Sequence, residues 1–274
     1  MLSIVSEHRH FGRQIFLLAK NELIKTYKGA AIGPAWAVVK PLFTLFVYWF
    51  AFSVGLRSAG LVNVELSGGV VSFDRFPFML VGFVPWFFMS DCILQGAKCI
   101  RDNRQFVTKV SFPVSTIITY TTLSKLFVHL FLSLLMYIYI LFAFGPSVYN
   151  IQFFLYCPLM FAFFLVLAWS TAPMSAFSLD FLNAINSIMT GLFWLSGIIY
   201  NSYDVPANLP WLRYVMLFNP INFFANGYRN AFLYNRWFFE YKTELAIFLL
   251  EFAVLFVLGI FNYNRLRKKL ADVL

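Results

Sequence analysis

The chain has 274 residues, of which 61% are hydrophobic and 21% aromatic, while only 12% are charged. Soluble domains carry roughly 25% charged residues, so an ordinary water-soluble globular protein is excluded. The net charge is +9, and in so apolar a chain we expect Lys and Arg at the cytoplasmic ends of membrane spans, not on a surface that binds nucleic acid. Cys92, Cys99 and Cys157 lie in apolar runs and are too few for a disulfide framework, so we expect packing thiols.

The apolar segments predict an all-α integral membrane protein with six transmembrane helices. A helix needs about 20 residues to cross a bilayer core of ~30 Å. Barrel strands are excluded because alternating segments of about ten residues are missing. The predicted spans are residues 35–56, 76–98, 113–144, 151–177, 181–200 and 244–263. Residues 1–34 then form a cytoplasmic amphipathic interface segment, and residues 35–274 form the membrane domain.

The distribution of Lys and Arg predicts the orientation. Thirteen of them lie in the N-terminal segment, in the loop after the second span and in the tail, whereas six lie on the opposite side. Since positive charge marks the cytoplasmic side, we expect a multi-pass protein of a bacterial cytoplasmic membrane with both termini in the cytoplasm.

Three segments outside the spans have distinctive patterns. Residues 10–28 interleave apolar and basic residues and predict an amphipathic helix on the inner membrane surface, either a simple anchor or a docking site for a partner. The loop 101–113 is short and basic and predicts a compact helical segment that faces a cytoplasmic partner. The external segment 201–243 is rich in Trp and Phe and predicts a re-entrant loop, in which Asn219 and Pro220 begin a helix that ends near Arg236.

The chain lacks the motifs of an enzyme. It has no G-x-x-x-x-G-K-[ST] phosphate loop and no G-x-S-x-G nucleophile motif. Its three histidines have no carboxylate or cysteine at the spacing of a metal site. We therefore expect no catalytic residue, no metal and no cofactor in this chain, and no ATP hydrolysis by the chain alone.

Charged residues inside the spans are candidate functional residues because they are costly in lipid. Asp91 and Lys125 lie at similar depths, roughly 15 and 18 Å from the cytoplasmic ends of their helices, and predict an intramembrane ion pair between the second and third spans. Lys40 either snorkels to anionic lipid or meets a phosphate group of a substrate. Glu251 either snorkels or meets an external Arg.

A polar stripe in the fifth predicted span turns aromatic toward its end. Asn183, Asn186 and Thr190 share one helical face, which continues through Phe193 and Tyr200. Such a face suits either a conduit for sugars or interhelical packing through amide and hydroxyl hydrogen bonds. The spacing alone leaves both interpretations open.

Three runs of sequence resemble the membrane subunits of type 2 ABC exporters for polysaccharides. The first is ELIKTYKG (22–29) with GPAW (33–36) and Pro41. The second is GFVPWF (82–87), LQGAK (94–98) and KVSFP (109–113), where Val114 departs from the Arg that many relatives carry. The third is Tyr200, then VP (205–206), NP (219–220) and GYR (227–229). Within the family, YWFAFSVGLR (48–57), LQGAK and KLFVHL (125–130) are most similar to the wall teichoic acid exporter.

The resemblance implies a complex of two copies of this chain with two ATPase subunits, which bind ATP and Mg²⁺. It also implies that the first and fifth spans line the conduit and that loop 101–113 contacts the ATPase. The conduit residues are then Trp36, Lys40, Phe43, Phe50, Asn183, Asn186, Thr190, Phe193 and Tyr200. The ATPase contacts are Arg101, Asp102, Arg104, Phe106, Lys109, Phe112 and Pro113.

The function predicted from sequence is export of undecaprenyl-diphosphate-linked wall teichoic acid, driven by ATP. The alternative is export of another lipid-linked polysaccharide such as O-antigen. Two other classes fit less well. An ion-coupled carrier predicts two similar halves, which the sequence does not have, and a membrane transferase predicts a convergent set of acid and base residues, which is missing.

Overall fold

A computed structural model gives the structure of residues 2–55, 60–66, 69–108, 112–206 and 208–270. The described part of the chain is mostly helical, and five of its helical segments are long and apolar enough to cross a membrane. The helices are α1 (Leu2–Thr26), α2 (Trp36–Phe50), α3 (Arg75–Asp102), α4 (Arg104–Thr108), α5 (Val114–Phe144), α6 (Phe153–Phe177), α7 (Leu179–Trp194), α8 (Trp211–Leu217), α9 (Pro220–Arg229) and α10 (Lys242–Leu266).

Helix α3 is the centre of the bundle. Its side chains are buried without a break from Pro77 to Trp86, and it packs against α5, α6 and α9. A stretch that is apolar on every side belongs in the middle of a bundle, because none of its faces needs water. The core of the protein is therefore built around α3. Packing on α3 fixes the positions of α5, α6 and α9 relative to one another.

A β-hairpin, which the sequence patterns did not predict, connects α2 and α3. Strand β1 (Leu61–Leu66) pairs antiparallel with β2 (Gly69–Asp74) in a register that joins Leu61 to Asp74. Phe73 packs on Tyr234 with ring centroids 5.5 Å apart. Burial raises the pKa of the Tyr234 phenol to about 12, although attraction to nearby arginines opposes this shift. The hairpin thus lies on the external segment and covers part of it.

The fifth predicted span is shorter in the structure than in the sequence prediction. Helix α7 has 16 residues, so it is about 24 Å long, and it ends at Trp194 instead of Tyr200. The chain turns after Trp194 because Gly197 adopts a left-handed conformation with φ of 60°. Residues 195–200 therefore form an irregular turn at the outer end of α7.

The predicted start of a helix in the external segment is confirmed. Asn219 is the N-cap of α9, and its side-chain oxygen accepts hydrogen bonds from the backbone N–H groups of Ile221 and Asn222. Pro220 occupies the first turn. The α-helix ends earlier than predicted, at Arg229, and continues as a π-helical turn over Asn230–Tyr234.

Candidate functional site

One face of α2 is exposed along its whole length. Trp36, Phe43 and Phe50 are seven residues apart and lie on this face, and the Phe43 side chain is 64% exposed. Lys40 lies one turn after Trp36 and is also exposed. These four predicted conduit residues of α2 are thus exposed. Three of them are aromatic, and the fourth, Lys40, is a cation.

Helix α7 also exposes polar groups. Asn183, Asn186 and Thr190 are exposed, as is Trp194 at the outer end of the helix. The two helices are held together through Phe193, whose ring centroid is 5.2 Å from that of Tyr48 on α2. We call this combined surface of α2 and α7 the conduit face.

Two predicted conduit residues do not belong to the conduit face. Phe193 is only 6% exposed, because its ring packs against Phe83 and Trp86 as well as α2. Tyr200 is half-buried in the turn after α7, where its hydroxyl donates to the Trp194 carbonyl at 2.7 Å. Phe193 is therefore a packing residue, and Tyr200 stabilises the end of the helix.

The predicted direct ion pair between Asp91 and Lys125 is not present. Among the described residues, no cation lies within 4.0 Å of the Asp91 carboxylate. Electrostatic attraction reaches it from Lys125, which contributes most, and also from Lys40 and Lys98. The predicted ion pair is therefore wrong.

The loop after α3 forms the compact segment expected from the sequence. Helix α4 is joined to the start of α5 by a hydrogen bond from the Phe112 N–H to the Phe106 carbonyl at 3.0 Å, and the two rings lie 5.7 Å apart. Phe112 also packs on Phe11 of α1, at 5.4 Å between ring centroids. Asp102 and Arg104 are exposed, and Lys109 lies outside the described residues. We call residues 102–108 the coupling segment.

Two residues expected to contact the ATPase have structural roles within this chain. The Arg101 guanidinium donates to the carbonyls of Ser175 at 3.2 Å and Ala176 at 2.9 Å, so it caps the end of α6. Pro113 is the N-cap residue of α5. Both therefore fix the position of the coupling segment relative to the bundle.

Helix α1 is clamped to the bundle through Glu7, a residue that the sequence patterns did not single out. Its carboxylate accepts hydrogen bonds from Arg267 at 2.6 Å and from the Tyr263 hydroxyl at 3.2 Å, both at the end of α10. It also accepts one from Ser115 at the start of α5. Helix α1 is thereby connected to the start of α5 and the end of α10.

Polar residues of α9 and its cap hold the turn after α7. They lie on one face at spacings of three, four and three residues, and they are Asn219, Asn222, Asn226 and Arg229. Arg229 is fully buried, and its guanidinium donates to the carbonyls of Gly197 at 2.7 Å and Ile198 at 2.6 Å. Asn219 donates to the Leu195 carbonyl at 2.9 Å. We call this set the α9 latch; its periodicity in the sequence was the signal that could have revealed it.

Helix α3 is shaped to receive the latch. The Arg229 guanidinium carbon lies 3.9 Å from the centre of the Phe78 ring, which is a cation–π contact. A Cβ atom at Gly82 would lie 2.5 Å from the Ile198 carbonyl oxygen and 2.7 Å from the guanidinium. The glycine is therefore required by the close approach of the turn and the buried arginine.

The described residues include no group of three or more His, Cys, Asp or Glu side chains that could hold a metal ion. The described geometry thus consists of exposed aromatic and polar side chains on α2 and α7, a short helix after α3 with exposed charges, and a set of α9 side chains that holds the turn after α7.

Comparison with known proteins gives the class. The family model of the ABC-2 type transporter matches residues 13–233, and the chain belongs to this family of integral membrane transport proteins. Among individual proteins, it is similar to the O-antigen export system permease protein RfbA of Myxococcus xanthus, with 26% identity over 203 residues and 73% of each chain covered. It is also similar to the permease RfbA of Klebsiella pneumoniae, with 22% identity over 265 residues, covering 95% of this chain and 94% of the relative.

Proposed function

We propose that this protein is the membrane subunit of an ATP-driven exporter that carries an O-antigen-type polysaccharide, linked to undecaprenyl diphosphate, across the bacterial cytoplasmic membrane. The single observation that carries this proposal is the similarity to two O-antigen export permeases, one of them over nearly the whole chain. The conduit face supports it, because exposed amide, hydroxyl and aromatic groups suit a polyhydroxylated substrate.

The sequence resemblance favoured a wall teichoic acid polymer as substrate. Both relatives are O-antigen permeases, so we propose the O-antigen class in its place. The two polymer classes share a diphosphate lipid carrier in this proposal, and they differ in the repeat unit. The choice between them is therefore a matter for experiment with the two substrates.

Two copies of the chain pair through their conduit faces in the proposed assembly. Aromatic side chains of α2 and the polar stripe of α7 have no cover within the described part of the chain, so a second copy would enclose a passage between them. Helix α7 is the fifth span in chain order and brings the number of spans to six, with the turn after Trp194 completing the crossing. Lys40, exposed near the cytoplasmic end, receives the diphosphate of the lipid carrier.

Two ATPase subunits, which bind ATP and Mg²⁺, act from the cytoplasmic side. They contact the coupling segment at Asp102 and Arg104, whose side chains are exposed. Movement of this segment passes to α1 through the packing of Phe112 on Phe11, and from α1 to two spans through Glu7. Rigid-body motion of the spans then opens the passage.

The test is the ATPase activity of the purified complex of this chain with its ATPase subunit in proteoliposomes. We expect stimulation by lipid-linked O-antigen and none by the lipid-linked teichoic acid precursor. Phe43→Ala on the conduit face should reduce the stimulation severalfold, whereas Phe142→Ala, which changes an 86% exposed ring on α5, should leave it unchanged. Stimulation by the teichoic acid precursor alone would overturn the substrate class, and failure of any ATPase subunit to associate would overturn the exporter.

A further inference from the structure

A cleft lies next to the α9 latch on the side of the protein predicted to be external. Its volume is about 740 Å³, and its walls come from Ser202, Tyr203, Val205 and Pro206, from Pro210 and α8, from the first turn of α9 and from residues 240–244. Sites for small ligands usually measure about 300 to 1,000 Å³. The cleft is separate from the conduit face, which lies on α2 and α7.

One wall of the cleft is a pair of parallel aromatic rings. Tyr203 and Tyr241 stack with ring centroids 5.7 Å apart and an angle of 15° between the ring planes. Phe223 also lines the cleft, and its ring is fixed by a close stack on Phe248, at 4.1 Å and 3°. The aromatic side chains that line the cleft are therefore held in place by packing, which lowers the entropy cost of binding a ligand.

The polar groups of the cleft combine hydrogen-bond donors and acceptors. Glu244 accepts a hydrogen bond from the Tyr203 hydroxyl at 3.2 Å, and its carboxylate has further capacity as an acceptor. Arg213 and Lys242 are exposed in the cleft, and neither forms a salt bridge with another residue in the described ranges. Both are donors that are available to a ligand.

The charge of the cleft is balanced. It contains two carboxylates, Glu240 and Glu244, and two cations, Arg213 and Lys242. A balanced site does not select strongly for an anion or a cation, because attraction and repulsion offset each other. Flat aromatic rings beside mixed donors and acceptors instead match a sugar ring, which has apolar C–H faces and hydroxyl groups that both donate and accept.

We propose that this cleft binds saccharide units of the exported polymer after they have crossed the membrane. The inference rests on the proposed function and adds to it a second site for the substrate, outside the conduit. A ring of the glycan lies against the Tyr203 and Tyr241 wall, its hydroxyl groups donate to Glu244, and Arg213 and Lys242 donate to its oxygens. Retention of emerging units at this site opposes their return to the passage.

The experiment measures binding of lipid-free O-antigen polysaccharide, released by mild acid from cells that encode this chain, to the purified transporter complex by calorimetry. We expect Tyr241→Ala to weaken binding at least tenfold and Tyr241→Phe, which keeps the ring, to bind within twofold of the unsubstituted complex. Tyr203→Ala removes the other ring of the wall and should weaken binding to the same extent. The matched control is Tyr214→Ala on α8, which removes a 65% exposed ring outside the cleft.

Unchanged binding by both Tyr241→Ala and Tyr203→Ala would overturn the cleft as a glycan site. If the unsubstituted complex does not bind the free polysaccharide, the cleft is likewise overturned as a glycan site. Stimulation of the ATPase by lipid-linked O-antigen is measured in parallel. If stimulation occurs without binding of the free glycan, the cleft inference fails and the exporter stands; if neither occurs, the proposed function fails as well.

Discussion

Replacing the buried arginine of the α9 latch should release the external helix from the bundle. Arg229→Met keeps much of the side-chain volume but removes both hydrogen bonds, at 2.7 and 2.6 Å, to the carbonyls of Gly197 and Ile198. It also removes the cation–π contact with Phe78 at 3.9 Å. The two carbonyls would then be buried with fewer partners, which destabilises the docked position of α9.

The size of the effect follows from these contacts. Hydrogen bonds to charged groups contribute about 1.5 to 3 kcal/mol each in proteins. Two effects reduce the expected loss. Polar contacts between membrane helices average only about 0.6 kcal/mol, and removing the arginine also removes the free-energy cost of burying its charge. We therefore expect Arg229→Met to shift the docking equilibrium of α9 by about 3 kcal/mol, which is on the order of 100-fold. Arg229→Lys keeps the charge without the two-pronged geometry and should lose about 1.5 kcal/mol.

A native cysteine reports on this equilibrium. Cys157 on α6 is buried, and its thiol is in contact with the Tyr228 hydroxyl of α9. Undocking of α9 exposes the thiol, so the rate of alkylation by N-ethylmaleimide should follow the undocked population. We expect the rate at Cys157, measured by mass spectrometry, to rise about 100-fold in Arg229→Met, while Cys92 in α3 stays protected.

An alkylation rate at Cys157 in Arg229→Met equal to that of the unsubstituted protein would refute the claim that Arg229 holds α9 in its docked position. A parallel rise at Cys92 would also count against it, because that would indicate loosening of the whole bundle instead of release of α9.

Three further substitutions test other parts of the structure. Gly227→Ala places a Cβ atom 2.4 Å from the Tyr156 ring, so it should lower the stability of the protein in detergent by about 1 to 3 kcal/mol, measured by thermal unfolding. Glu7→Gln weakens the contact with Arg267, which is partly exposed, so a loss of about 1 kcal/mol and faster tryptic cleavage within α1 are expected. Arg104→Glu reverses an exposed charge of the coupling segment and should reduce co-purification of the ATPase subunit at least fivefold.

Each of these substitutions has a matched control in the chain. Gly191→Ala in α7 meets no atom within 4 Å and should be neutral or slightly stabilising. Glu22→Gln changes another acidic residue of α1, whose ion pair is with the exposed Lys25 of the same helix and not with another element. Glu65→Arg reverses a charge on the hairpin, far along the chain from the coupling segment. Equal effects of a substitution and its control would contradict the specific contact assigned to that site.

The sequence predicted the parts of the fold that follow from local chemistry. Long apolar runs predicted the helices that are long enough to cross a membrane, because burial in lipid depends on composition and length. Asn219 and Pro220 predicted the start of α9, because capping is a contact between neighbouring residues. The aromatic face of α2 also followed from helical spacing.

The remaining features depend on contacts between distant segments. Helix α7 ends at Trp194 although apolar residues continue, because the turn is held by side chains of α9 about 30 positions later. Phe193 lies on the predicted face of its helix, but Tyr48 and Phe83 pack over it. Strand β2 exposes four consecutive residues and so lacks the alternation that predicts a half-buried strand.

Residue roles were hardest to predict where one side chain serves several elements. Glu7 is an ordinary acidic residue in the sequence, and only the packed ends of α5 and α10 make it a clamp for α1. Asp91 was recognised from its cost in lipid, but a similar depth in two helices does not bring its carboxylate within 4.0 Å of Lys125.

The most direct measurement of the central claim is transport itself. The complex of this chain with its ATPase subunit is reconstituted in proteoliposomes with lipid-linked O-antigen, and polymer that reaches the side opposite the ATPase is counted with an antibody that does not cross the membrane. The account predicts accumulation that needs ATP and is lost when Arg104→Glu uncouples the ATPase. Accumulation that is the same with and without ATP, or none at all in an intact complex that hydrolyses ATP, would contradict it.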